Sequence, residues 1–81
     1  VNGTITIRYF GLLAEHTGQA MENLRFPSGT SVGEVRAILC EKHPTLRGLH
    51  YRFAVDSALC SDDHVIDGCR ELALLPPFAG G

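Results

Sequence analysis

The sequence predicts an α+β fold: a mixed sheet of four to five strands with one main helix packed on one face. Three observations carry that expectation. Thr4 to Tyr9 alternates polar and apolar residues near the start of the chain. Glu71 to Leu75 is an apolar strand pattern close to its end. Between them, the segment opening at Ser31 has helical periodicity with both a start and a stop signal. A single helix on one face of a small sheet lets each element bury its apolar side.

In the first segment Ile5, Ile7 and Tyr9 share one face, which is the period-two signature of a strand. Phe10 to Thr17 suits a short helical turn, and Gly18 ends it. Met21 to Phe26 reads as a second strand, antiparallel to the first, with Leu24 and Phe26 facing the same way. Pro27-Ser28-Gly29 breaks the pattern. Ser31 then caps the main helix, and Glu34 three residues on completes a capping box. Its apolar stripe is Val32, Val35, Ile38 and Leu39. Glu34 near the start and Lys42 and His43 near the end complement the helix dipole, and Pro44 forbids continuation. Gly33 weakens the first turn.

Leu46 to His50 reads as an irregular turn. Tyr51 to Val55 is a third strand with Phe53 and Val55 inward, and Asp56-Ser57 turns it into a short strand through Ala58, Leu59 and Cys60. Asp67-Gly68 is a turn signal. Leu72 and Leu74 face inward on the last strand, and Pro76, which has no N–H to donate, stops the pairing. This order is that of the β-grasp, or ubiquitin-like, fold, whose first and last strands lie parallel at the sheet centre. The organisation expected is a β-grasp domain over residues 1–75 and an extended Gly-Gly tail over residues 76–81.

With 81 residues, one compact domain is expected. There is little room inside for a cofactor, so chemistry belongs at the surface, at an end, or with a partner. The formal charge is -2, with no basic stripe for nucleic acid and no cationic cluster for lipid. The apolar runs are too short to span a bilayer. Neither a signal-peptide pattern nor a disulfide framework appears; Cys40, Cys60 and Cys69 are sparse and odd in number. The cytoplasm is the expected compartment.

The last residues, Leu75-Pro76-Pro77-Phe78-Ala79-Gly80-Gly81, pose the functional question. Six extended residues beyond Leu75 reach roughly 20 Å. The prolines favour an extended exit, and Gly80 and Gly81 carry no side chain to obstruct a narrow channel. A terminal carboxylate has a pKa of roughly 3.5 and is ionised at neutral pH, hence a poor electrophile until activated, for example by adenylation. The chain contains no phosphate-cradling GxxxxGK[ST] or GxGxxG loop, so an ATP site would have to come from an activating enzyme. Leu75, Pro77 and Phe78 form an apolar group suited to a partner surface.

Asp67 to Gly81, "DGCRELALLPPFAGG", resembles the end of the MoaD family, the sulfur-carrier small subunits of molybdopterin synthase. Ile7 to Gly18 and Phe53 to Gly68 are similar to that family's first strand with short helix and its middle hairpin. Cys69 stands where an acidic residue is common, and Phe78 where Val or Ile is usual. The resemblance implies that a MoeB-like enzyme adenylates Gly81 with ATP and that a sulfurtransferase converts it to a thiocarboxylate. It also implies that Phe78, Ala79 and Gly80 thread a pocket of a MoaE-like large subunit, in a heterotetramer. There the sulfur passes to cyclic pyranopterin monophosphate in molybdenum cofactor biosynthesis. On this reading the chain is no enzyme on its own and binds no cofactor. Two rivals remain open: a ThiS-like carrier for another pathway such as thiamine thiazole, and a ubiquitin-like modifier joining Gly81 to lysines.

Other residue groups point less far. Cys60, His64 and Cys69 fit no zinc spacing, so no metal is expected. Asp62, Asp63 and Asp67 read as a solvated turn rather than a calcium loop. His16, His43, His50 and His64 are scattered, and no catalytic pair follows from their spacing.

Overall fold

The computed structural model describes residues 4–77 of the chain. Five strands form one sheet: β1 (Thr4–Tyr9), β2 (Met21–Arg25), β3 (Arg52–Val55), β4 (Ala58–Cys60) and β5 (Glu71–Leu75), in the spatial order β2-β1-β5-β3-β4. A short helix α1 (Leu12–Thr17) follows β1, and the main helix α2 (Val32–Lys42) follows β2. β1 and β5 pair in parallel, with Ile7 opposite Leu72 and Tyr9 opposite Leu74. All other pairings are antiparallel. This is the expected β-grasp layout, with the first and last strands side by side.

The strand alternation decides which residues meet the helix. Ile5, Ile7 and Tyr9 of β1, Phe53 and Val55 of β3, and Leu72 and Leu74 of β5 are buried in one cluster with Val32, Val35 and Leu39 of α2. Ile38, expected in the helix stripe, is 40% exposed. At roughly 100° per residue, Ile38 lies roughly 120° around the helix from Val32, outside the arc set by Val35 and Leu39. Leu46 and Ile66, from segments that lack periodicity, are fully buried instead. Leu46 belongs to a 3₁₀ turn (Pro44–Leu46) that starts where Pro44 ends the helix. The expected irregular turn at Leu46 is therefore partly regular.

The start of α2 shows the anticipated box: the Glu34 N–H donates to Ser31 Oγ (3.2 Å), and the Ser31 N–H donates to Glu34 Oε1 (2.9 Å). Two further orphan donors of the first turn reach a neighbouring loop. Val32 N–H donates to the His64 carbonyl and Gly33 N–H to the Asp62 carbonyl, each at 2.8 Å. Gly33 allows this approach, since a Cβ there would sit 3.2 Å from the Asp62 oxygen. Arg36 completes the join, pairing with Asp62 at 2.8 Å while its guanidinium lies 5.0 Å from the Tyr51 ring centre and 4.9 Å from that of Phe53.

Glu22 of β2 shares the inward phase of Leu24 and Phe26, so an acid faces the helix side of the sheet. Its carboxylate accepts from the Tyr9 hydroxyl and lies 2.7 Å from Lys42 Nζ and 2.8 Å from His43 Nε2. Burial pushes the Glu22 pKa up, but hydrogen bonds from Lys42, Tyr9 and His43 outweigh it and hold the group down to about 2. Burial and the Glu22 carboxylate together push the Tyr9 hydroxyl far above its ordinary range. The cluster ties β1 and β2 to the end of α2.

The β3–β4 turn is a two-residue connection with positive φ at Asp56 (46°) and Ser57 (76°). Asp56 Oδ1 accepts the N–H groups of Arg70 and Glu71, each at 3.0 Å, so this turn also anchors the start of β5.

Two outcomes follow from these polar joins. Because the Glu22 pKa lies below its ordinary 4.5 in the folded state, its contribution is present at neutral pH. It is lost as pH falls from about 4.5 through about 2. Glu22→Gln should cost about 2 kcal/mol at pH 7 and flatten this acid limb, as read by urea unfolding across pH. Asp56→Ala should cost about 1–3 kcal/mol in the same assay at neutral pH, since it strands two donors and leaves Ala at positive φ. Asp56→Asn, which keeps an acceptor and tolerates the turn, should cost less.

Candidate functional site

The site begins where β5 ends. Leu75 is the last residue of the strand and is half-buried; Pro76 is half-buried and Pro77 exposed. Phe78, Ala79, Gly80 and Gly81, the expected reactive end and its threading residues, lie outside the described residues. The strand ends where the missing N–H of Pro76 requires it to end.

The root of the tail is held from one side by the β1–α1 connection. Phe10 N–H donates to the Leu74 carbonyl at 3.2 Å, extending the central ladder by one bond past Tyr9. Gly11 follows, with φ 59° and ψ −133°, as the N-cap residue of α1. The helical turn expected to open at Phe10 thus starts two residues later. Phe10 adds one ladder bond beyond β1, and Gly11 makes the corner.

The face of the sheet turned away from α2 is read from the registers. Met21, Arg8, Ala73, Ala54 and Leu59 form one row across all five strands, and Leu75 stands opposite Arg52 in the next. Met21 is 46% exposed, Leu59 53%, and Phe10, beside this row, 42%. Ala54 and Ala73 are buried between taller neighbours. Arg8 pairs with Glu71 on the same face, leaving the middle of the row apolar and near-neutral. Met21 on β2 and Leu59 on β4 stand at opposite edges of this face, with Phe10 and Leu75 nearer the exit of β5 and with Arg8, Glu71 and Arg52 between the two edges.

The partner group expected from the sequence is Leu75, Pro77 and Phe78, of which Phe78 lies outside the described residues. Phe10, Met21 and Leu59 were not singled out for it. Their signal was available in the alternation: each is a large apolar residue out of phase with the inward set. Cys40, Cys60 and Cys69 are free thiols, each partly buried. Burial, followed by the nearby Asp56 and Cys60, pushes the Cys69 thiol up, so it stays protonated at neutral pH. Among the described residues, no three His, Cys, Asp or Glu side chains gather as a metal-holding group, and no helix is long and apolar enough to cross a membrane.

Comparison with known proteins agrees with this architecture. The model of the ThiS family matches residues 7–81. A molybdopterin synthase sulfur carrier subunit of Caenorhabditis briggsae is 29% identical over 82 residues, covering 96% of this chain and 98% of the relative. SAMP1 from Haloferax volcanii shares the fold with a TM-score of 0.82 at 24% identity, covering 98% of this chain and 100% of that one. A chain from the complex of subunits 1 and 2 of molybdopterin-converting factor of Helicobacter pylori superposes with a TM-score of 0.62. It is 27% identical, again covering 98% of this chain and 100% of that one. With a parallel β1–β5 pair at the sheet centre and a family match running through the glycine end, the chain belongs to the ThiS family, the MoaD/ThiS group of ubiquitin-like sulfur carriers.

Proposed function

We propose that this chain is the sulfur-carrier subunit of a molybdopterin synthase. The observation that carries the reading is the parallel β1–β5 pair, which brings the exit of β5 to the sheet centre beside the exposed Phe10, in a chain whose family match extends through Gly80-Gly81. The carrier does not perform the chemistry alone; it presents its own main-chain end to others.

In this mechanism the Gly81 carboxylate attacks the α-phosphate of ATP on a MoeB-like enzyme. Pyrophosphate leaves and an acyl-adenylate forms. Sulfur at the hydrosulfide level, delivered by a sulfurtransferase, then displaces AMP to give the thiocarboxylate. The apolar face docks the loaded carrier on a MoaE-like large subunit, and Phe78, Ala79 and Gly80 lead Gly81 to cyclic pyranopterin monophosphate. After sulfur transfer, water restores the carboxylate. Negligible side-chain bulk at Gly80 and Gly81 suits passage through a narrow channel. The large-subunit partner is supported by the Helicobacter pylori complex and by the name of the Caenorhabditis relative. The setting of this cycle is the cytoplasm.

A second reading is favoured by the likeness to SAMP1, named a small archaeal modifier protein: Gly81 would be joined to lysines of other proteins. Both readings use the same activated glycine and part at the nucleophile. Incubation with a MoeB-like enzyme, ATP and a sulfur source should give an oxygen-to-sulfur mass change at Gly81, and MoaE should then form molybdopterin. Isopeptide-linked products without that mass change would favour the modifier. Deleting Gly81 should abolish transfer while leaving the unfolding curve unchanged. Leu59→Glu should weaken binding to the large subunit by more than about tenfold, since a charge would be desolvated in the interface, with little change in melting temperature.

A further inference from the structure

We propose that Gly11 is a positioning residue: it gives the Pro76 ring a seat that an added Cβ would crowd, and so sets the direction in which Pro76 leads the chain off the sheet. The proposal rests on the carrier reading above. A Cβ built on Gly11 would stand 3.3 Å from Pro76 Cγ, tighter than ordinary van der Waals contact. Gly18, Gly29, Gly48 and Gly68 also have positive φ, but nothing lies within 4 Å of a Cβ at any of them. Those four answer to turn geometry alone, whereas Gly11 answers to geometry and to a neighbour.

The seat is fixed on both sides. The Phe10 N–H holds the Leu74 carbonyl, and the Gly11 carbonyl accepts the Ala14 N–H at 3.1 Å in the first turn of α1. Turning the Gly11 peptide to relieve a clash would break that bond, so the ring must move instead. Pro76 has no N–H to donate to the ladder and so none to resist the push. It is half-buried against Gly11, next to an exposed Pro77. Five residues follow Pro76, a reach of roughly 17 Å when extended. A shift of the ring by a few tenths of an ångström therefore acts at the root from which those residues start. Positioning errors of roughly 1 Å at a reacting group are known to slow reactions strongly.

The test uses the full chain and a MoeB-like enzyme, following carrier-dependent exchange of labelled pyrophosphate into ATP. Gly11→Ala should lower kcat/KM for the carrier by roughly tenfold. Gly18→Ala, which also places Ala at positive φ but in open space, should stay within about twofold of the unsubstituted chain. In a Pro76→Ala background, where Cγ is gone, adding Gly11→Ala should cause no further loss. Equal losses for Gly11→Ala and Gly18→Ala, or a Gly11→Ala loss that persists undiminished beside Pro76→Ala, would overturn the proposal. If the unsubstituted chain supports no exchange, the carrier reading fails, and the seat is judged by NMR alone. Gly11→Ala should then change the residual dipolar coupling of the Phe78 N–H while Gly18→Ala leaves it unchanged; an unaltered coupling in Gly11→Ala sinks the seat. Should Gly11→Ala not fold, Pro76→Ala alone is read by the same coupling, with the same two outcomes.

Discussion

The parallel pairing of β1 with β5 is the constraint on which the rest of this structure depends. It joins the two ends of the domain at the centre of the sheet, where Ile7, Leu72 and Leu74 are fully buried. A parallel pair cannot be closed by a tight turn, so everything between the two strands serves as crossover and cover. β2 flanks one side, the β3–β4 hairpin the other, and α2 closes the apolar face. The same pairing brings the end of β5 to the middle of the sheet rather than to an edge, with rigid neighbours on both sides.

Polar joins then lock the cover to this centre. Glu22 gathers Tyr9, Lys42 and His43, so one inward carboxylate fastens two strands to the end of the main helix. Asp56 gathers the N–H groups of Arg70 and Glu71, fastening the β3–β4 turn to the start of β5. At the front of α2, the capping box and the carbonyls of Asp62 and His64 satisfy the first-turn donors. Each join gives polar groups partners within the chain, and each connects segments distant in sequence.

The outer face of the sheet is the product of the same alternation that makes the core. Every inward residue on a strand has outward neighbours, and here Phe10, Met21 and Leu59 stand outward, Phe10 beside the exit of β5 and the other two on the edge strands. Ala54 and Ala73 keep the middle of that face low, and the Arg8–Glu71 pair balances charge beside it. A small domain with little interior for a cofactor thus offers a docking face and a chain end. That division of labour suits a carrier, whose reactive group must leave one partner and enter another.

By itself the sequence determined the element order, the inward sets of β1, β3 and β5, the cap at Ser31 and the stop at Pro44. These are local signals: period-two alternation, capping chemistry and the missing N–H of proline act within a few residues. The Gly-Gly end and the Pro-Pro before it were equally plain, and so was the family likeness they carry. Only the tertiary structure decided that Ile38 faces out while Leu46 and Ile66 go in, that Glu22 meets Tyr9, Lys42 and His43, and that Gly33 makes room for the Asp62 carbonyl. It also decided that Phe10 adds one ladder bond beyond β1 and that Gly11 lies against Pro76. Each of these depends on what a distant segment brings within a few ångströms, and no pattern confined to neighbouring residues records that distance.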